Sequence, residues 1–115
     1  MNIDLNTVKI FIRPGVTDLR KAINGLTVLI EQGMNGEPFS GNVYLFCNRD
    51  RKLLKAVYWD RNGFWLCQKR LEKDKFPWAQ TSEAVQELSN EELSMLLQGI
   101  DFFKAHKGLF YQKVS

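Results

Sequence analysis

The chain is poor in the residues that build metal centres and disulfide scaffolds. It has two cysteines, Cys47 and Cys67, and one histidine, His106, in 115 residues. A structural zinc site normally takes four Cys or His ligands, and here there are three, far apart and without a Cys-x-x-Cys pair. No metal and no cofactor is expected, and two reduced thiols are the plain reading. Long apolar runs are absent as well: the stretch Leu53 to Trp59 is too short, and too interrupted by Lys55, to span a bilayer. Met1 to Leu5 has neither a basic n-region nor an apolar h-region, so a cytoplasmic protein without a membrane partner is expected.

Catalytic signatures are missing too. There is no Gly-x-Ser-x-Gly elbow, no His-Glu-x-x-His and no Gly-rich phosphate loop. His106 lies in the tail, where a general base is hard to hold in place. Asp18, Asp60 and Asp101 could in principle share two metal ions for phosphoryl transfer. Each has a simpler role available: first-turn charge for Asp18, turn former for Asp60, helix-end loop for Asp101. A non-enzyme is expected, and a nuclease would need these three carboxylates to converge.

What the sequence does have is a segregated charge. The net charge is +3. Between Arg49 and Lys75 there are nine basic residues (Arg49, Arg51, Lys52, Lys55, Arg61, Lys69, Arg70, Lys73, Lys75) and four acids, so this segment carries +5. From Glu83 to Asp101 there are five acids and no Lys or Arg. The basic segment is also rich in aromatics, with Tyr58, Trp59, Phe64 and Trp65. Cations that neutralise phosphates beside rings that can stack on bases suit nucleic acid. The alternative is a solvated sheet face whose Lys and Arg guard an edge strand.

Periodicity gives the elements. Val8 to Ile12 reads as a strand, ended by Pro14-Gly15. Thr17 is the expected N-cap of a helix with Asp18 in its first turn. Leu19, Ile23, Leu26 and Ile30 form the apolar stripe of that helix, and Gly33 its stop. Gly25, inside it, suggests close packing on a neighbour. Val43 to Cys47, Lys52 to Trp59 and Phe64 to Leu71 read as three strands of an antiparallel meander. Asn62-Gly63 is expected at the centre of a type I′ turn. One face of that hairpin then carries Leu53, Lys55, Val57, Trp59, Phe64, Leu66, Gln68 and Arg70, and the other Leu54, Ala56, Tyr58, Asp60, Trp65, Cys67, Lys69 and Leu71. Residues 79–87 look irregular, with room for a short extended piece. Ser89 and Glu92 form a capping box, stapled by Leu88 and Leu93, for a second helix with Leu93, Leu96, Leu97 and Ile100 on its apolar face. The expected fold is a single α+β domain over residues 1–101, order β-α-β-β-β-α, with both helices on one face of an antiparallel sheet. Residues 102–115 read as an aromatic C-terminal tail, docked or mobile.

Several of these segments resemble one family. Gly15-Val16-Thr17-Asp18-Leu19-Arg20-Lys21-Ala22-Ile23-Asn24-Gly25-Leu26 resembles the opening motif of the TnpB accessory proteins of insertion sequence 66 type elements, the product of their second open reading frame. The likeness continues through Pro38-Phe39-Ser40-Gly41, the hairpin core Tyr58 to Leu66, Lys69 to Glu72, Phe76-Pro77-Trp78 and Leu93 to Asp101. The tail beyond Asp101 runs on longer and more aromatically than the family pattern. The resemblance implies a role in transposition beside a separate transposase, and it supplies no catalytic motif. Two partners are therefore expected: DNA at the element ends and the transposase of the same element. Phosphate contacts are expected from Arg49, Arg51, Lys52, Lys55, Arg61, Lys69 and Arg70, extended by Arg20 and Lys21. The rival expectation is a protein-interaction module that regulates the transposase without touching DNA.

Overall fold

The computed structural model describes residues 8–78 and 86–98. The elements run β1 (Ile10–Ile12), α1 (Ile23–Val28) continuing into a π-helical turn (Leu29–Gly33), β2 (Val43–Cys47), β3 (Leu53–Asp60), β4 (Gly63–Arg70), β5 (Gln86–Leu88) and α2 (Asn90–Leu97). The strands form one mixed sheet in the order β4-β3-β2-β1-β5. The α+β class and the β2-β3-β4 meander are as expected. The short extended piece is β5, which pairs antiparallel with β1 through Ile10↔Leu88.

The structure differs from expectation in the sheet and in the helices. β1 pairs parallel with β2, through Ile10↔Val43 and Ile12↔Leu45, because the chain crosses over through α1 before returning. The helices then lie on opposite faces. Leu93 and Leu96 of α2 pack with Ile10, Ile12, Val43, Leu45, Cys47, Leu54, Ala56 and Tyr58. Leu26 and Ile30 pack with Tyr44, Phe46 and Val57. The residues alternate between the two clusters along β2 and β3, as strand pleating requires. All five residues of β2 are buried, which is what a strand covered on both sides must be. Phe46 is 0% exposed at the heart of the α1 side. Truncating such a side chain to Ala costs about 3–5 kcal/mol.

The first helix begins later than its N-cap signal. Thr17 is not the cap; Ala22 is, without a side-chain hydrogen bond. Thr17 is buried with its polar groups satisfied: its N–H donates to Cys47 O at 2.8 Å and its Oγ1 accepts from Arg13 Nη1 at 2.9 Å. A backbone committed to the end of β2 cannot also open a helix. The apolar stripe holds: Leu19, Leu26 and Ile30 are buried and Ile23 is half-buried. Gly25 faces its own chain, since a Cβ there would meet the Lys21 side chain at 3.2 Å. The close approach the fold does require is at Gly36, where a Cβ would lie 2.8 Å from the Tyr44 ring.

α2 starts as expected. Ser89 Oγ accepts from Glu92 N and Glu92 Oε1 accepts from Ser89 N, closing the capping box. Leu88 and Leu93 are both buried in the same cluster. Phe76, Pro77 and Trp78 plug the α2 side, and Trp78 Nε1 donates to Arg13 O and Gly15 O, both at 3.0 Å. Ile100, Asp101 and the tail lie outside the described residues.

Candidate nucleic-acid interface

The hairpin faces follow the expected parity. Leu53↔Arg70, Lys55↔Gln68, Val57↔Leu66 and Trp59↔Phe64 lie on the α1 side, and Tyr58↔Trp65 and Leu54↔Lys69 on the α2 side. The turn itself is displaced by one residue. Asp60 pairs with Gly63, so Arg61-Asn62 are the central residues and Gly63 belongs to the ladder. Positive φ occurs at Arg61 (56°) and not at Asn62 or Gly63, so the turn is not type I′. The side-chain parity survives because the displacement moves the pairing by two residues.

The nine expected phosphate contacts fall into three groups. Lys55, Lys69 and Arg20 have intramolecular partners. Lys55 Nζ donates to Leu19 O at 2.7 Å, and Lys69 Nζ donates to Leu97 O at 2.6 Å. The second contact satisfies a carbonyl at the C-terminal end of α2, where a cation also complements the helix dipole. Arg20 grips Asp18 with two parallel hydrogen bonds of 2.9 and 2.8 Å. These bonds, with a third from the Arg20 backbone N–H, hold the Asp18 carboxyl well below the usual carboxylate range.

Arg61 is remote. It sits at the far end of the eight-residue strand β3, about 23 Å from the β2–β3 turn at the usual strand rise. Lys21 lies on the approach to α1, its stem against Gly25.

The third group converges. Arg49, Arg51 and Lys52 occupy the β2–β3 turn, and Arg70 closes the neighbouring strand end opposite Leu53. Asn48 builds the turn: its Oδ1 accepts from both Lys52 N and Leu53 N at 3.2 Å, and its carbonyl accepts from Arg51 N. Arg51 adopts φ 59°, a left-handed conformation uncommon for a non-glycine residue. Two open clefts meet at this turn. One, of about 530 Å³, is lined by Thr17, Asp18, Arg20, Asn48, Arg49 and Asp50. The other, of about 400 Å³, is lined by Asn48, Asp50, Lys52, Gln68, Arg70 and Glu72. Among the described residues, the side chains of Arg49, Lys52 and Arg70 make no hydrogen bond or ion pair, so their charges face solvent.

Two cations were not singled out from the sequence. Lys73 and Lys75 are exposed on a segment tied to the same turn by Leu71 N to Lys52 O and Phe76 N to Arg51 O. Only their membership of the basic segment pointed to them. Asp50, Glu72 and Asp74 share this end of the molecule, so the surface is cationic but not uniformly so.

The carboxylates do not converge. Asp18 lines the cleft at the β2–β3 turn, whereas Asp60 ends β3 at the opposite pole. Asp101 and His106 lie outside the described residues. Among the described residues, no group of three or more His, Cys, Asp or Glu side chains is placed to hold a metal. Cys47 is buried, and loss of solvent pushes its thiol up to about 12. Among the described residues, no helix is long and apolar enough to cross a membrane.

The aromatics divide as well. Trp78 is core, but Trp65 is 47% exposed. At the Arg61 end, Phe39 sits edge-on to Trp59 with ring centroids 5.0 Å apart and beside Phe64 at 5.4 Å, and it remains 63% exposed. The Pro38-Phe39-Ser40-Gly41 loop thus docks on the hairpin tip.

The chain is similar to known proteins over most of its length. The model of the family described as IS66 Orf2 like protein matches residues 8–107. Two relatives come from Sinorhizobium fredii (strain NBRC 101917 / NGR234). The uncharacterized protein y4jC is 28% identical over 100 residues, covering 87% of this chain and 86% of the relative. The uncharacterized protein y4hO is 33% identical over 95 residues, covering 83% of each. No solved structure matches the chain. With the family model spanning the sheet, both helices and the cationic turn, the chain belongs to the IS66 Orf2-like family of insertion-sequence proteins.

Proposed function

We propose that this chain is a non-catalytic accessory protein of transposition that contacts the DNA of the element through its β2–β3 end. Family membership supports the link to transposition. The observation that carries the contact is the gathering of Arg49, Arg51, Lys52 and Arg70 around one turn, with Arg49, Lys52 and Arg70 left without internal partners among the described residues. Lys73 and Lys75 extend the surface. Lys55, Lys69, Arg20 and Arg61 leave the contact set, the first three because their charges are already used and the last because of distance.

Guanidinium and ammonium groups at such a turn bind phosphate oxygens and release condensed counterions. Fluorescence anisotropy with duplexes from the element ends, titrated across salt, is the test. Binding should fall steeply with salt, with a log–log slope of about −4 if four phosphates are met. No binding to duplex, single strand or RNA at low salt would end this reading.

A second reading has its own observation. Phe39, the most exposed large apolar side chain described, rests on Trp59 and Phe64 at the pole opposite the β2–β3 turn. This aromatic tip suits a protein partner, the transposase of the same element being the natural one. Co-purification that survives nuclease and high salt, and is lost on Phe39→Ala, would support it.

A further inference from the structure

β4 is the edge of the sheet, and among the described residues nothing pairs with its outer side. It is eight residues long, contains no proline, and carries exposed Trp65 and Leu66 on opposite faces. An edge of this length and apolarity is an open template for another strand.

Its sequence selects the partner. The first half, Phe64-Trp65-Leu66, is apolar and the last two residues, Lys69-Arg70, are cationic. A parallel copy would set like against like. An antiparallel copy sets cation against ring.

The ladder geometry narrows the register. Asp60↔Gly63 closes the hairpin, and Leu71 N donates to Lys52 O, so the odd residues of β4 turn their backbone groups toward β3. The even residues, Phe64, Leu66, Gln68 and Arg70, therefore turn theirs outward. A two-fold axis normal to the sheet must pair residues of equal parity. Centring it on Cys67 pairs Phe64 with Arg70 and Leu66 with Gln68 through all the outward N–H and C=O groups. It also pairs Trp65 with Lys69 and Cys67 with itself. Every cation then faces a ring, although the Lys69 head is also held by Leu97 O. Moving the axis to Lys69 or Arg70 would oppose like charges directly, which destabilises a sheet.

We propose that two copies of this chain join edge to edge through β4, antiparallel and centred on Cys67, into a continuous ten-stranded sheet. The proposal does not rest on the nucleic-acid reading, although both draw on Arg70, and the cross-link at Cys67 tests it without DNA. It places the two cationic turns at opposite ends of the joined hairpins, about 23 Å apart along the strand direction. The contact involves one strand from each copy, so association is concentration dependent.

The test is sedimentation equilibrium of the full chain up to about 1 mM, with diamide oxidation alongside. Mass should double with concentration. Cys67 and its symmetry copy form a non-hydrogen-bonded pair with Cα atoms about 4.5 Å apart, within disulfide range. Diamide should therefore remove two hydrogens from the two thiols and leave one interchain disulfide, absent in Cys67→Ser. Gln68→Pro removes an outward N–H and no bond to β3. It should weaken the dimer at least tenfold while leaving the circular dichroism spectrum intact. Leu66→Lys is the second variant if the proline disturbs folding, with the same expected loss. A monomer at every concentration overturns the proposal, whatever else lies along β4. So does a dimer that fails to cross-link at Cys67 or that survives both substitutions.

Discussion

Lys55 leaves β3 on the α1 side and donates from Nζ to the carbonyl oxygen of Leu19, 2.7 Å away and 36 residues earlier in the chain. The bond pins the approach to α1 onto the sheet and removes Lys55 from the cations available to a ligand. Lys55→Met should therefore lower stability by about 2 kcal/mol, the usual worth of a hydrogen bond to a charged group. The salt slope of DNA binding should not move. Arg49→Gln and Arg70→Gln should do the reverse, changing stability by under about 0.5 kcal/mol and lowering the slope by about 1 each. Urea denaturation beside salt titrations of the three variants separates the two kinds of cation.

Arg61 holds a left-handed φ of 56° at the hairpin tip. That conformation costs a side-chain-bearing residue about 1–2 kcal/mol, part of which glycine returns through its freer unfolded chain. Arg61→Gly should raise stability by about 0.5–1 kcal/mol. It should do so at an unchanged denaturant slope, visible as a higher urea midpoint. Because Arg61 lies a full strand length from the cationic turn, DNA affinity should be unaffected.

Ser89 and Glu92 cap α2 reciprocally, at 3.1 and 2.9 Å. Ser89→Ala should cost about 1 kcal/mol. Adding Glu92→Ala should cost less than the sum of the two single changes, since both act through one motif. A double-mutant cycle in urea measures the shortfall.

Cys47 provides the alkaline limit. Its thiol is pushed up from an ordinary value of 9.0 to about 12 because burial penalises the thiolate. Above about pH 9 the unfolded thiol ionises while the folded one stays neutral, so unfolding releases a proton and is favoured as pH rises. The stability from this group is whole below about pH 9 and is lost progressively toward pH 12. Urea midpoints at about pH 8 and pH 10.5 should differ more for the native chain than for Cys47→Ala. Iodoacetamide at about pH 9 should label half-buried Cys67 well before Cys47.

Much of this protein is legible in local pattern. The five-residue apolar run at Val43–Cys47, the strand-length stretch from Lys52 to Trp59 before Asn62-Gly63 and the Ser89–Glu92 box each name their element, because each depends on residues within a turn or two of one another. The two faces of the hairpin also follow from sequence. Strand pleating has a period of two, so a displaced turn at Arg61-Asn62 moved the register without exchanging the faces.

The tertiary structure decided what depends on distant partners. Thr17 carries the sequence mark of a helix cap, yet its N–H is claimed by Cys47 at the end of β2. The helices took opposite faces because β2 must be covered on both sides, a clue present in its unbroken apolar run but binding only once β1 lay parallel to it. Above all, a lysine's charge is evident in sequence and its partner is not. Composition could show that residues 49–75 are basic. Only the fold shows that Lys55 and Lys69 spend their charge on the carbonyls of Leu19 and Leu97, while Arg49, Lys52 and Arg70 meet around one turn with theirs exposed.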